Sequence, residues 1–178
     1  RNSAILAKLV EEWATSVLGN VNDFAVSLEA YMSAVGSDGN LGILLQRHKQ
    51  NNPDLFRVIE VIATDGSVIA TSDARIQATA RNFDSDMTAS TDVLIGLPRD
   101  VNGVTLIPFK RALYTPDGLA LGAVVVEVDA AFFAGFYAHL GLPPGASLMM
   151  YRSDGPLLAR SAPELGEIGR GYPDHPVW

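Results

Sequence analysis

Two adjacent cations, Lys110 and Arg111, sit inside the apolar run "VTLIPFKRAL" (104–113). Neighbouring residues of a strand point to opposite faces of a sheet, so one of the pair must face whatever covers that sheet. If that residue is Arg111, its planar fork can grip a ligand carboxylate through two bonds. The alternative is a rim position for both, in solvent or ion-paired. Asp129 closes the next apolar run and precedes "AAFFAGFYAHL" (130–140), where its carboxylate would cap a helix N-terminus. Asp84 and Asp86 form an Asp-x-Asp in "ARNFDSDMTAST", a pattern that offers oxygens to Ca²⁺. No later glycine and bidentate glutamate complete a calcium loop, and a solvated turn is the simpler reading. Asp86 and Asp92, in and just after this polar stretch, complete the candidate ligand contacts with Lys110, Arg111 and Asp129.

Other chemistries find no residues to perform them. His48, His139 and His175 are far apart, and none stands at metal-binding spacing from a second ligand. His139, near the end of its helix, reads as a partner of the helix dipole. There is no Gly-x-Ser-x-Gly, no phosphate loop and no Rossmann glycine pattern. The absence of cysteine removes disulfides, Cys-ligated zinc, iron–sulfur clusters and thiol catalysis together. Neither an enzyme, a cofactor nor a metal site is therefore expected in this chain. A net charge of −7, with the 13 Lys and Arg dispersed, argues against nucleic acid and against anionic lipid as partners.

The elements that must position these residues follow from periodicity. Ile5, Leu9, Trp13, Val17, Val21, Phe24, Leu28 and Met32 recur every three or four residues, predicting one helix over 3–35, with Ser3 at its start and Gly36 at its end. Such a helix is on the order of 45–50 Å long. Its stripe either packs wholly on its own domain or pairs in part with its counterpart in a dimer. A shorter helix is expected over 41–54, ended by Asn51-Asn52-Pro53. The period then changes to that of strands: "LFRVIEVIA" and "SVIATSD" about Asp65-Gly66, then "DVLIGLP" (92–98), "VTLIPFKRAL" and "LALGAVVVEV" (119–128). Between the first pair and the last three, 74–91 has no period and reads as a loop. Pro108 predicts a bulge or an edge in its strand.

Asp-Gly recurs at Asp117-Gly118, and again at Asp154-Gly155 within "SLMMYRSDGPLLARSAP" (147–163). Asp65 and Asp154 are about 90 residues apart, the span of one compact α+β unit. The chain thus divides into a helix (1–36), a module (37–141) and the start of an incomplete second module (142–178). It begins without Met and ends at "GYPDHPVW", and is expected to be a piece of a longer protein whose targeting and membrane segments lie outside it.

"DVLIGLPRDVNGVTLIPFKRALYTPDGLALGAVVVEVDAAFFAGFYAHL" carries an Ig-P strand, a strand leading to Asp-Gly, a Gly-Val-Val-Val strand and an aromatic helix. With the long helix, the five-stranded antiparallel sheet and its crossing loop, this order resembles the Cache family. These are PAS-like extracytoplasmic sensor domains of bacterial histidine kinases, diguanylate cyclases and chemoreceptors. "SLMMYRSDGPLLARSAP" is similar to the opening strands of the membrane-proximal module in double-Cache sensors. The resemblance implies a periplasmic sensor of a small molecule, an amino acid or carboxylate. It also implies a tether in the membrane, a dimer through the first helix and a kinase or cyclase output beyond residue 178. In amino-acid-binding members an Asp at the end of the last strand of the distal module holds the ligand amine, and Asp129 falls at that position. The Tyr/Arg/Trp set of those relatives is not matched: "RNFDSDMTASTDVLIG" has no Tyr or Trp and only Arg81, which leaves the ligand open. The competing reading is a dimerisation or protein-interaction module without a small-molecule ligand.

Overall fold

The computed structural model describes residues 2–37, 40–75 and 91–171. Helix α1 (Asn2–Val35) is 34 residues long, about 50 Å at 1.5 Å per residue. It stops at Gly36, whose φ of 78° lets its N–H close on the Met32 carbonyl at 2.9 Å. Val17, Val21, Phe24, Ala25, Leu28 and Met32 are buried in the main core. Ile5 and Leu9, on the same stripe, remain 61% and 43% exposed. The changeover is at Trp13, which stacks on Phe136 with ring centroids 4.1 Å apart. The helix therefore outruns the core it packs on. No described helix is long and apolar enough to cross a membrane.

Helix α2 (Leu41–Asn51) buries Leu41 and Leu45. Strands β1 (Val58–Ile62), β2 (Val68–Thr71), β3 (Leu94–Ile95), β4 (Arg99–Val101), β5 (Val104–Tyr114) and β6 (Ala120–Asp129) follow, then helix α3 (Ala130–His139). Among the described residues the strands form one antiparallel sheet in the order β2-β1-β6-β5, with β3 and β4 both on the outer side of β5. These are the five strand positions expected, the third broken in two. The connection 76–90 lies outside the described residues, and the predicted Asp84–Asp86 turn lies there too.

The break explains Pro108, which is neither at an edge nor in a bulge of its own strand. It pairs in register with Glu127 in the interior of the sheet. Ile95 pairs Phe109 and Arg99 pairs Leu106, so three residues of the neighbouring strand (96–98) oppose two of β5. The bulge has moved to the partner. Pro108 takes the Gly96 N–H on its carbonyl at 2.8 Å, and its missing donor points the same way, to where the ladder is already interrupted.

All three Asp-Gly turns are connectors. Gly66, Gly118 and Gly155 have φ of 83°, 85° and 114°, backbone that glycine adopts without strain. Asp65 Oδ1 accepts from Ser67 N at 2.9 Å and from its hydroxyl at 2.6 Å, and Arg152 clamps Asp154 in an ion pair. The last turn joins β7 (Met149–Tyr151) to β8 (Leu157–Arg160), a separate two-stranded sheet. Leu158 and Ala159 pack into the same core as Phe133 and Tyr137 of α3. Arg152 Nη1 donates to the Ile95 carbonyl at 3.1 Å, tying the hairpin to the large sheet.

Tyr137 is buried, and its hydroxyl has no hydrogen-bond partner among the described residues. Burial pushes the phenol from 10.0 up to about 12. The folded chain holds this proton more tightly than the unfolded one, so this contribution to stability is complete below pH 10 and lost as pH rises from 10 to about 12. Tyr137→Phe removes an unpaired buried polar group and is expected to raise stability by about 1 kcal/mol. It should also remove the late-titrating phenol from an alkaline ultraviolet titration. A clear loss of stability in denaturant unfolding would contradict this account.

Candidate functional site

Strand register sorts the sheet into two faces. Ile59, Val61, Ile107, Phe109, Leu113, Val124, Val126 and Val128 share the main core with α1, α2 and α3. The alternate residues form the other face, which no described helix covers. There Glu60 pairs Val125, Val125 pairs Lys110 and Lys110 pairs Leu94, one row across four strands. Glu127 lies opposite both Val58 and Pro108, hence diagonal to Glu60 and to Lys110, about 7 Å from each. Glu60, Glu127 and Lys110 are 1%, 0% and 7% exposed. Arg99 Nε and Nη2 reach Glu127 Oε1 at 2.8 and 2.6 Å.

A charged group removed from water is costly unless its environment replaces that water. Three such groups, with half-buried Arg99 paired to one of them, on one small area of sheet are therefore a feature that apolar packing does not require. Burial lowers the Lys110 ammonium below its ordinary value. At such a buried patch of mixed charge a polar ligand would feel stronger electrostatics than at the surface.

The other cation of the pair points the opposite way, as adjacency in a strand demands. Arg111 is 5% exposed on the α1 face. Its Nη1 donates to Glu29 Oε1 of α1 at 2.9 Å and to the Ala112 carbonyl at 3.3 Å, and its Nε donates to the Thr91 carbonyl at 3.1 Å. The same Glu29 oxygen accepts the Tyr114 N–H at 3.0 Å. Arg111 thus joins the long helix to the chain entering β3, through groups already matched to it.

Asp129 caps α3, its Oδ1 accepting the Ala131 N–H at 2.8 Å. It also lines two open clefts of about 550 and 350 Å³ on either side of the α3 N-terminus. Asp92 is exposed just ahead of β3, while Asp86 and His175 lie outside the described residues. His139 Nδ1 meets the Gly135 carbonyl at 2.6 Å in the last turn of α3. His48 stacks on Phe24 at 3.8 Å, and burial lowers its pKa.

Of the predicted residues, then, the structure sets Lys110 with Glu60, Glu127 and Arg99, and sets Arg111 on the other face. Glu60 and Glu127 were legible as charges centred in "VIEVI" and "VVVEV", the same signal that singled out Lys110. Arg99 carried none, since it follows a proline at a strand break. Among the described residues no group of three or more His, Asp or Glu is placed to hold a metal ion.

No family model matches the chain, and no curated protein does. Solved structures do. The extracellular domain of rpHK1S-Z16, named as a histidine kinase, superposes with a TM-score of 0.76 at 24% identity, covering 93% of this chain and 71% of that one. The ligand-binding domain of the Campylobacter jejuni chemoreceptor Tlp3, in complex with L-norvaline, gives 0.66 at 15% identity over 92% of this chain and 70% of that one. The ligand-binding domain of the Pseudomonas aeruginosa PAO1 amino acid chemoreceptor PctC, in complex with GABA, gives 0.62 at 14% identity over 92% and 76%. One is an extracellular domain and two are ligand-binding domains, and the likeness is one of fold. The chain has the PAS-like α+β fold of Cache-type extracellular sensor domains.

Proposed function

We propose that this chain is the small-molecule-sensing part of an extracytoplasmic signalling protein, with its ligand seated on the face of the sheet opposite α1, α2 and α3, against Lys110, Glu60, Glu127 and Arg99. The observation that carries this reading is the burial of three charged side chains in mid-strand on that face. The fold it shares with chemoreceptor ligand-binding domains supports it. Because the floor presents both signs of charge, the ligand class is a small molecule bearing an amine, a carboxylate or both. Asp129 acts as a helix cap in this reading, and Asp86 and Asp92 remain candidate contacts from the β2–β3 connection.

The signal would leave through Arg111, which links the start of β3 to Glu29 of α1, and along α1 toward a kinase or cyclase output. The hairpin β7–β8, a sheet of its own, would open a second module. The exposed stripe of Ile5 and Leu9 is where a second copy would pair, and Leu9→Glu should then lower the oligomeric state in sedimentation.

Thermal unfolding against a panel of amino acids, amines and small carboxylates tests the reading. A ligand at 100 times its dissociation constant adds ~2.7 kcal/mol to stability. Lys110→Met and Glu60→Gln are expected to remove that response while still unfolding cooperatively. A panel without any response, or full response in both variants, would leave the interaction-module reading standing instead.

A further inference from the structure

A second site of different chemistry lies at one end of the sheet. Lys49 from the last turn of α2, Arg57 just before β1, Asp73 and Arg75 just after β2, and Asn102 from the β4–β5 turn line a cleft of about 300 Å³. Asp73 is the only carboxylate among them. Its two oxygens are taken by the Arg75 guanidinium at 3.1 and 3.2 Å, by the Arg75 N–H at 3.1 Å, and by Lys49 Nζ at 3.6 Å. Arg75 beside it holds the Asp73 carboxyl down at about 2, so it stays charged at any ordinary pH.

Among the described residues that line the cleft, three cations stand against one carboxylate, an excess of two positive charges in a chain whose net charge is −7. The placement is built, not fortuitous. Asp73 fixes Arg75 and Lys49, and the Arg57 backbone is fixed by its N–H to the Glu127 carbonyl at 2.9 Å. Arg57 itself enters no ion pair among the described residues. Asn102, held in the left-handed conformation at φ 54°, adds a neutral amide to the wall. Arginines stay protonated and offer forked donors matched to tetrahedral oxyanions.

We propose that this cleft binds a phosphate-type dianion, free or as a phosphomonoester, with Arg57 as the forked donor, Arg75 contributing the Nη1 edge that Asp73 does not take, and Lys49 as the point charge. The site is separate from the sheet face that Lys110 occupies. It bridges α2, β1 and the end of β2, so occupancy would hold the entry to the β2–β3 connection against α2.

Inorganic phosphate titrated into the full chain near neutral pH, at constant ionic strength balanced with chloride, is the test. A saturable rise in melting temperature is expected with phosphate. Arg57→Ala, at an exposed residue whose side chain enters no ion pair among the described residues, should weaken the apparent affinity at least tenfold, and Arg57→Lys less. Lys110→Met should respond as the unmodified chain does, which separates this site from the sensing face. A phosphomonoester giving the same Arg57-dependent response would extend the site to organic phosphates. The proposal is overturned if chloride alone gives an equal rise, if Arg57→Ala responds undiminished, or if Lys110→Met abolishes the response.

Discussion

Gly122→Ala is expected to destabilise the chain by roughly 3 kcal/mol or more, a loss of on the order of 10 °C in melting temperature. Gly122 lies in β6 at φ 130°, a conformation L side chains rarely adopt. A Cβ there would stand 2.0 Å from the Ile62 carbonyl oxygen, 3.1 Å from its carbon and 3.2 Å from Ala63 Cα. All three are backbone atoms of the last residue of β1 and the residue after it, so no side chain can swing away. β1 and β6 would have to part at the end of the ladder where Ile62 pairs Ala123. Two other glycines serve as controls. Gly118→Ala meets no atom within 4 Å but sits at φ 85°, and should lose only the left-handed penalty of about 1 kcal/mol. Gly135→Ala, in α3 with open space around it, should gain about 0.5–1 kcal/mol from helix propensity. Denaturant unfolding that ranks the three otherwise would refute the steric account.

Glu29→Ala should be the most damaging change on α1 that removes no apolar contact. Glu29 Oε1 accepts from both Arg111 and the Tyr114 N–H. Its loss leaves a guanidinium that is 6% exposed without a counter-charge, and a strand N–H without an acceptor. Breaking a buried pair from one side costs about 3–5 kcal/mol, and the 19% exposure of Glu29 places the expected loss near the lower end. Glu29→Gln keeps the accepting oxygen and should lose about half as much. The double change Glu29→Ala with Arg111→Met removes the stranded charge and should recover much of the single-variant loss. A double-mutant cycle with no coupling would show that the two residues act independently. The same cycle read on ligand response tests the proposed route from β3 to α1, because a purely structural pair would alter stability and leave ligand affinity per folded molecule unchanged.

How far these residues could be seen in advance depended on the range of the interaction. The capping role of Asp129 was readable because a cap and the N–H it satisfies lie two residues apart. The opposite orientation of Lys110 and Arg111 was readable because strand alternation is local. Which of them faced α1 was not, since that depends on the register of β5 against β6 and β1 and on a helix residue 82 positions away. Pro108 shows the same limit. Its missing donor demanded an irregularity, and only the pairing revealed that the neighbouring strand supplied it. Glu60 and Glu127 stood in plain view inside β-branched runs, but what draws them together with Lys110 is the diagonal geometry of three strands.

The amino-acid order by itself determined the elements, their sequence along the chain and the kind of fold. Helix and strand periods, turn glycines and caps act over fewer than about ten residues and survive without knowledge of the partner. The tertiary structure alone decided which charges share a face, which are already matched, and where cations outnumber carboxylates. Those are properties of pairing between distant segments, and the free energy of a charge depends on its neighbours in space and not along the chain.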